Sequence, residues 1–432
     1  MSHLLDEIVR AQKRGEARGN PSIMPAHSWV LRAALRGESP ILIESTCNQV
    51  NQLGGYTGMT PADFVCLVHD LVAKNGFPVE NLILGGDHLG PSPWQHLRAE
   101  QAVTLAREMV RAYVQAGYTK LHLDASMSLG DDDPQRPLDP EIVAQRTADL
   151  ARAAEKAAEE AGRPVQELRY VIGTDVPPPG GATDSKCDAH ITPVEDVRRT
   201  IEVIHAAFLA IGLEAAWERV IAVVVQPGIE FGDDFVLDYN VEVARDLAHL
   251  CETMPFVYEA HSTDYQRPQN LRALVRDHFA ILKVGPALTF TFRQAVFALA
   301  MIEQELFPPE ERSRLIETLE SAMLRDSSHW QKYYQGDPHE LALARKYSMS
   351  DRIRYYWQRP EVRAALKKLL DNLNRKGLPL TLVHQFLPDL WPKIRAGQIP
   401  CSADTIILER IRQVLEDYAW ACGLDSSPAQ RW

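Results

Sequence analysis

The stretch Leu82-Ile83-Leu84-Gly85-Gly86-Asp87-His88-Leu89-Gly90-Pro91 is an apolar run that stops at two glycines and then presents a carboxylate and an imidazole side by side. A short apolar run bounded by Gly and Pro reads as a buried strand. The segment after it, Trp94 to Ala116, has helical periodicity, and a second apolar run begins at Lys120. Strand, helix, strand in that order is the unit of a parallel sheet, because parallel neighbours need a crossover.

The same unit recurs in both directions. Strands are expected at Ser22 to Pro25, Ile41 to Glu44, Leu82 to Gly85, Lys120 to Leu123, Tyr170 to Gly173, Ile221 to Val225, Phe256 to Tyr258 and Ile281 to Val284, with helical stretches such as Pro140 to Ala161 and Pro193 to Ile211 between them. Eight such units imply an α/β fold, a closed (β/α)8 TIM barrel. An open doubly wound sheet is the competing reading, but no Gly-x-Gly-x-x-Gly follows any strand, so NAD is not expected. From about Phe307 the strand signal vanishes, Pro308-Pro309 marks a junction, and helical segments rich in Glu, Arg, Leu, Tyr and Trp follow. The expected division is a barrel over residues 1–306 that carries the site and a helical C-terminal subdomain over 307–432.

With 432 residues, 45% hydrophobic and 24% charged, the chain can bury a large core. A net charge of -12 without a basic stripe argues against nucleic acid as a partner. No apolar run approaches the roughly 20 residues that span a bilayer, and the start Met-Ser-His-Leu-Leu-Asp-Glu lacks a signal peptide's basic and apolar regions. A cytoplasmic protein with no membrane association is expected. The six cysteines are scattered without a Cys-x-x-Cys, so neither a thiolate zinc site nor a disulfide framework is indicated.

In a barrel of this type chemistry gathers where strands run into their following loops. Those positions hold Glu44, Asn48 and Gln49 after strand two, Asp87 and His88 after three, Asp124 and Ser126 after four, and Thr174 and Asp175 after five. Gln226 and Glu230 follow strand six, Glu259 and His261 follow seven, and Lys283 lies in eight. Ionisable groups are expensive to bury unpaired, so their convergence argues for a polar site that a metal would reconcile. Taken singly, each has a plainer reading: Asp87 as a cap or turn residue, His88 and His261 as hydrogen-bonded structural histidines, Asp175 and Glu230 as solvated loop carboxylates, Lys283 as a carboxylate's partner inside the barrel. Imidazoles and carboxylates without thiolates suit one divalent Zn, Mn, Co or Ni ion and leave positions open for substrate oxygens.

Several stretches resemble the Z-subunit (GatZ/KbaZ-like) family of tagatose-bisphosphate aldolase. They are Ile43 to Gln52 with Gly54 to Met59, Gly85 to Pro91, His122 to Met127, Val225 to Gly228, Tyr258 to Tyr265, Lys283 to Phe290 and Ser350 to Trp357. The resemblance spans nearly the whole chain. It implies a barrel related to the class II, metal-dependent aldolases, acting in galactitol or tagatose metabolism, with Asp87 as a proton-transfer carboxylate and His88 as a metal ligand. Part of that family is described as stabilising a separate catalytic Y subunit, and other members resemble metal-dependent ketohexose 4-epimerases. Two departures stand out. The histidines that class II aldolases carry after strands six and seven are replaced by Gln226, Glu230, Glu259 and His261, and the family's Gly-Thr-Glu-Val-Pro is Gly173-Thr174-Asp175-Val176-Pro177.

On this basis His88, Glu230 and His261 are the expected metal ligands, with Glu259 as an alternative carboxylate. Asp87, Asp124 and Glu259 are the expected catalytic carboxylates, and Glu44, Asn48, Gln49, Ser126, Asp175, Gln226 and Lys283 the expected sugar contacts. The reaction expected is 4-epimerisation of a free or monophosphorylated ketohexose, the interconversion of fructose and tagatose, by retro-aldol and aldol chemistry. A stabilising aldolase subunit, partnered by the Y subunit or by copies of itself, and an aldolase in its own right are the other readings. A Schiff base on Lys283 is a further route. One phosphate site is expected, at Lys283, Gly285 and Ala287 with Arg293, while three carboxylates in the Gln226 to Asp234 loop would repel a second. The cluster Arg352, Arg354, Tyr355, Tyr356 and Trp357 is read either as packing against the barrel or as an interface or lid.

Overall fold

A computed structural model describes residues 3–37, 39–133, 136, 138–173 and 190–424. Eight parallel strands close into a barrel: β1 Asn20–Ile23, β2 Ile41–Thr46, β3 Leu82–Leu89, β4 Lys120–Leu123, β5 Arg169–Ile172, β6 Val220–Val224, β7 Val257–Ala260 and β8 Phe279–Val284. Each pairs with its sequence neighbours, and β8 returns to β1. A short antiparallel hairpin, Glu230–Phe231 with Val236–Leu237, follows β6. This is the (β/α)8 barrel with surrounding and C-terminal helices that strand-helix alternation implies.

Strand limits differ from the sequence reading where it matters most. β3 runs through the two glycines to Leu89, β2 continues past Glu44 to Thr46 and β7 to Ala260, so Asp87, His88 and Glu259 are strand residues rather than loop residues and Glu44 lies within its strand rather than at its end. Parallel pairing overrides glycine's poor strand propensity because the neighbours supply the ladder. Between Gly86 and Leu89, β3 holds one residue more than β4, a bulge, and His88 there adopts φ 49°. Bulges re-aim side chains, and a non-glycine residue in the left-handed region marks a strained, over-determined site.

The barrel interior is layered. Its lower layer is apolar, with Leu42, Ile83, Val171, Ala222 and Val257 closed from below by Leu5 of the N-terminal helix Leu4–Lys13. The outer core lies between strands and helices and continues without a break beyond residue 307, taking in Trp357, Ile406 and Ile407. Trp357 packs edge-on against Phe292 with centroids 4.9 Å apart, and the helix Ala403–Ala421 lies against the helices Ser28–Ala34, Pro268–Arg276 and Pro286–Leu306. The helix Ala403–Ala421 also braces the loop after β7, since Tyr418 Oη donates to the Thr263 carbonyl at 2.8 Å. No described helix is long and apolar enough to cross a membrane.

Gly85 is required by its neighbour. A Cβ there would sit 2.7 Å from Glu44 Cγ and 2.9 Å from Cδ, so the absent side chain makes room for a buried carboxylate. Gly85→Ala should therefore cost about 1–3 kcal/mol in denaturant unfolding, the usual range for overpacking a tight core. Gly37→Ala, which meets nothing within 4 Å, should be neutral in the same assay.

Candidate functional site

Alternate residues of a strand share a face. On the inner face of the barrel this brings Leu42 and Glu44 from β2, Ile83 and Gly85 from β3, Lys120 and His122 from β4, Val257 and Glu259 from β7, and Ile281 and Lys283 from β8. Above the apolar layer these residues form a buried ion set. Lys120 Nζ lies 2.8 Å from Glu44 Oε1 and 2.7 Å from Glu259 Oε2. Lys283 Nζ lies 2.7 Å from Glu44 Oε2, 2.7 Å from Asp87 Oδ1 and 3.3 Å from Glu259 Oε1. Ser22 Oγ adds a hydrogen bond to Glu44 at 2.8 Å.

Over this layer stand three imidazoles, each with one ring nitrogen against a carboxylate of its own. His88 Nδ1 is 3.1 Å from Asp124 Oδ2, His122 Nδ1 is 2.9 Å from Asp87 Oδ1, and His261 Nε2 is 3.1 Å from Glu259 Oε1. A ring N–H donated to a carboxylate would present the other nitrogen's lone pair, as in metal-ligating histidines; His122 Nδ1 also faces the His88 backbone N–H at 3.3 Å, and His88 Nε2 lies 3.5 Å from Asp87 Oδ2. His122 Nε2 is buried and has no hydrogen-bond partner. One donor atom from each of Asp87, His88, His122 and His261 lies within 4.8 Å of the others.

Electrostatics follow from the pairing. Burial opposes ionisation of Asp87, but the charges of His88 and Lys283 and the hydrogen bond from His122 hold its carboxyl well below the usual range. Burial is likewise outweighed at Glu259 by Lys120 and Lys283, and at Asp124 by His88, which brings Asp124 to about 2. Burial lowers His261 to about 4, which leaves the ring neutral at pH 7. For Lys283 burial is overcome by Asp87, Glu259 and Glu44, which raise its pKa. The carboxylates around Lys283 thus favour its ammonium form over the neutral amine that a Schiff base needs.

The donor set suits a divalent cation. The three ring centroids are 5.1, 5.0 and 5.4 Å apart, and three imidazoles on a tetrahedral ion with M–N of about 2.1 Å would have centroids about 5.2 Å apart. The carboxyl groups Glu44, Asp87, Asp124 and Glu259 outnumber the amines Lys120 and Lys283 in this buried site, a composition that suits a cation. Above the cluster opens a cavity of about 520 Å³, within the range of small-molecule sites.

The model of the GatZ/KbaZ-like D-tagatose-1,6-bisphosphate aldolase subunits matches residues 5–423. The chain belongs to this family. It is 47% identical over 425 residues to the D-tagatose-1,6-bisphosphate aldolase subunit GatZ of Salmonella dublin, covering 98% of this chain and 100% of that one. Identity to the GatZ subunit of Klebsiella pneumoniae is 46% over 427 residues, with the same coverage. A crystal structure of a probable tagatose 6 phosphate kinase from Sinorhizobium meliloti superposes with a TM-score of 0.85 at 43% identity, covering 94% of this chain and 100% of that one.

Within this GatZ/KbaZ-like chain the expected residues divide by depth. Asn48, Gln49, Asp87, His88, His261 and Lys283 line the cavity. Glu44 and Glu259 lie beneath it as fully buried members of the ion set, rather than on the cavity wall expected for a sugar contact and a catalytic carboxylate, since both strands continue beyond them. Asp124 stands behind His88, and Ser126 Oγ donates to it at 2.6 Å, so both support the ring rather than face the cavity. Gln226 is buried outside the cavity lining, with its backbone N–H on Thr192 Oγ1 at 2.7 Å. Glu230 is turned away as well: its Oε1 accepts from the Phe231 N–H at 2.9 Å and the carboxylate meets Ser262. The hairpin after β6 directs it to the β7 loop, and His122 takes the place in the cluster expected for it. Thr174 and Asp175 lie outside the described residues.

The expected phosphate site is also corrected. The N–H groups of Gly285 and Ala287 are taken by Asp264 Oδ1 at 3.0 and 2.8 Å, and Arg293 is buried against Asp351 at 2.8 Å. Arg352, Arg354 and Tyr355, by contrast, line the cavity, while Tyr356 and Trp357 are core residues.

For the purified chain we expect one divalent ion per polypeptide by elemental analysis. His122→Ala should lower metal affinity severely, Asp124→Asn by about 10–100-fold through loss of the His88 support, and Glu230→Gln should leave it unchanged. Retention of stoichiometric metal by His122→Ala would exclude the three-imidazole cluster as the ligand set.

Proposed function

We propose that the chain is a divalent-metal-dependent ketohexose 4-epimerase that interconverts fructose and tagatose, or their monophosphates, by aldolase-type chemistry. The observation that carries this reading is the buried cluster of three imidazoles, each backed by its own carboxylate, beneath a sugar-sized cavity. Placing this many polar groups in a barrel mouth sacrifices packing stability, which a purely structural subunit has no reason to do.

The substrate's own chemistry selects the route. In a 2-ketohexose the C4 hydrogen is not adjacent to the carbonyl, so its removal gives no stabilised enolate. Inversion without redox therefore requires breaking the C3–C4 bond, turning the aldehyde fragment and rejoining it on the other face. The bound ion would supply Lewis-acid polarisation of the ketose oxygens. Asp87, ionised and on the cavity wall, takes the C4 hydroxyl proton as the C3–C4 bond breaks and returns it after re-addition. Lys283, beside Asp87, keeps that carboxylate anionic and adds positive charge near the developing enolate. Asp124 and Glu259 act at one remove, as positioning residues for His88 and His261.

The test incubates the metal-loaded chain alone with fructose, tagatose and their 6-phosphates and assays both the 4-epimers and free triose products. Epimer formation without accumulating triose is expected, and Asp87→Asn should lower kcat by about 10²–10⁴. Net triose release from tagatose bisphosphate would favour an aldolase. The names of the curated relatives favour a second reading, a stabilising aldolase subunit. A chain inert toward every sugar that raises the activity of a partner aldolase subunit would establish that reading instead.

A further inference from the structure

Two arginines from the C-terminal segment reach the cavity without a carboxylate to answer them. Arg352 is 3% exposed, its Nε is buried with no hydrogen-bond partner, and its guanidinium lies 3.1 Å from the centroid of the Tyr333 ring. The one hydrogen bond described for this guanidinium is long, 3.5 Å from Nη1 to the His329 carbonyl. Arg354, 8% exposed, donates from Nη1 to the Ser350 and Asp351 carbonyls and from Nη2 to Tyr355 Oη at 2.9 Å. Among the described residues no carboxylate lies within 4.0 Å of either guanidinium, and the charges of Asp351 and Asp264 act on Arg354 only from further away. Lys332 lines the same wall.

Buried like charges side by side are unfavourable, and burial together with Arg354 lowers the pKa of Arg352. The other buried cations among the described residues are answered: Arg293 by Asp351, Arg345 by Glu320, Arg169 by Asp6, Lys120 and Lys283 by Glu44 and Glu259. Here the missing counter-charge has a space to occupy, the cavity that also holds Asp87 and His261. Guanidinium groups suit phosphate oxygens, and a phosphate monoester carries about −1.5 to −2 charge at pH 7.

We propose that Arg352, Arg354 and Lys332 form the subsite for the phosphate monoester of the substrate sugar, so that the chain acts on a ketohexose monophosphate in preference to the free sugar. The proposal rests on the sugar site described above and specifies its substrate. One cationic group of side chains in the cavity that also holds Asp87 and His261 accommodates one phosphate. Recognition comes from the C-terminal segment and chemistry from the barrel.

The experiment measures binding separately from turnover. Isothermal titration of the full chain uses inorganic phosphate, tagatose 6-phosphate and tagatose, alongside kcat/KM for the two sugars. The wild type should bind inorganic phosphate and prefer tagatose 6-phosphate over tagatose by at least 10-fold. Arg352→Gln should abolish phosphate binding and most of that preference, lowering kcat/KM for tagatose 6-phosphate by a larger factor than for tagatose. Lys332→Met, at an exposed position that tolerates substitution, should lower affinity for the phosphorylated sugar several-fold and supplies the answer if Arg352→Gln fails to fold. Wild-type phosphate affinity in both folded variants, or in Lys332→Met alone if Arg352→Gln does not fold, would overturn the subsite. Phosphate binding lost in the variants of a chain that turns over no sugar would uphold the subsite and refute the epimerase. Epimerisation with equal specificity constants for both sugars would do the reverse.

Discussion

The buried ions of the barrel's middle layer are the constraint on which the rest of the site depends. Lys120 ties β4 to β2 and β7, and Lys283 ties β8 to β2, β3 and β7, so five of the eight strands are linked across the interior by charge. Removing one member of such a set leaves the others buried and unbalanced, which typically costs about 3–5 kcal/mol. The layer therefore behaves as a unit. It replaces the branched aliphatic side chains that ordinarily fill a barrel at this height, and it is the floor on which the imidazoles stand. An apolar layer of equal volume would leave Asp87 and Glu259 without the cations that keep them ionised, and so leave His122 and His261 without the acceptors that orient them.

Orientation of the rings is thus inherited from below. Asp87 faces two ways, with one oxygen shared by Lys283 and His122 and the carboxylate as a whole at the cavity wall. A proton-transfer group needs both a defined charge state and access to its substrate, and this placement supplies both. The strained backbone at His88 in the β3 bulge, with Ser262 in the loop after β7 also in the left-handed region at φ 54°, shows that local conformational preference has been overruled where two of the rings are presented.

The eight strands and their order were legible because alternation between apolar runs and helical periodicity is a local signal repeated many times. Lys120 and His122 as site residues were not. The barrel rule directs attention to residues beyond each strand's C-terminal end, and Lys120-Leu121-His122-Leu123-Asp124 passes as an ordinary short strand. The polar-apolar alternation there was the available signal: in a barrel one face is wholly interior, so alternating polar residues have nowhere to point but the centre. Glu230 misled for the opposite reason, since a carboxylate in a loop of the right position was separated from the cluster by a hairpin that no local pattern announced. The part played by Arg352 and Arg354 depends on how the C-terminal helices fold back over the barrel, which is set by contacts among residues far apart in the chain.

The brace between Tyr418 and Thr263 carries a consequence for the order of events during synthesis. The two residues are 155 positions apart, so at about 5–20 residues per second the loop bearing His261 waits about 8–30 s after it leaves the ribosome for the group that holds it. The barrel's strands are all synthesised well before then, so the brace on the rim of the mouth is among the last contacts of the site that the chain can make.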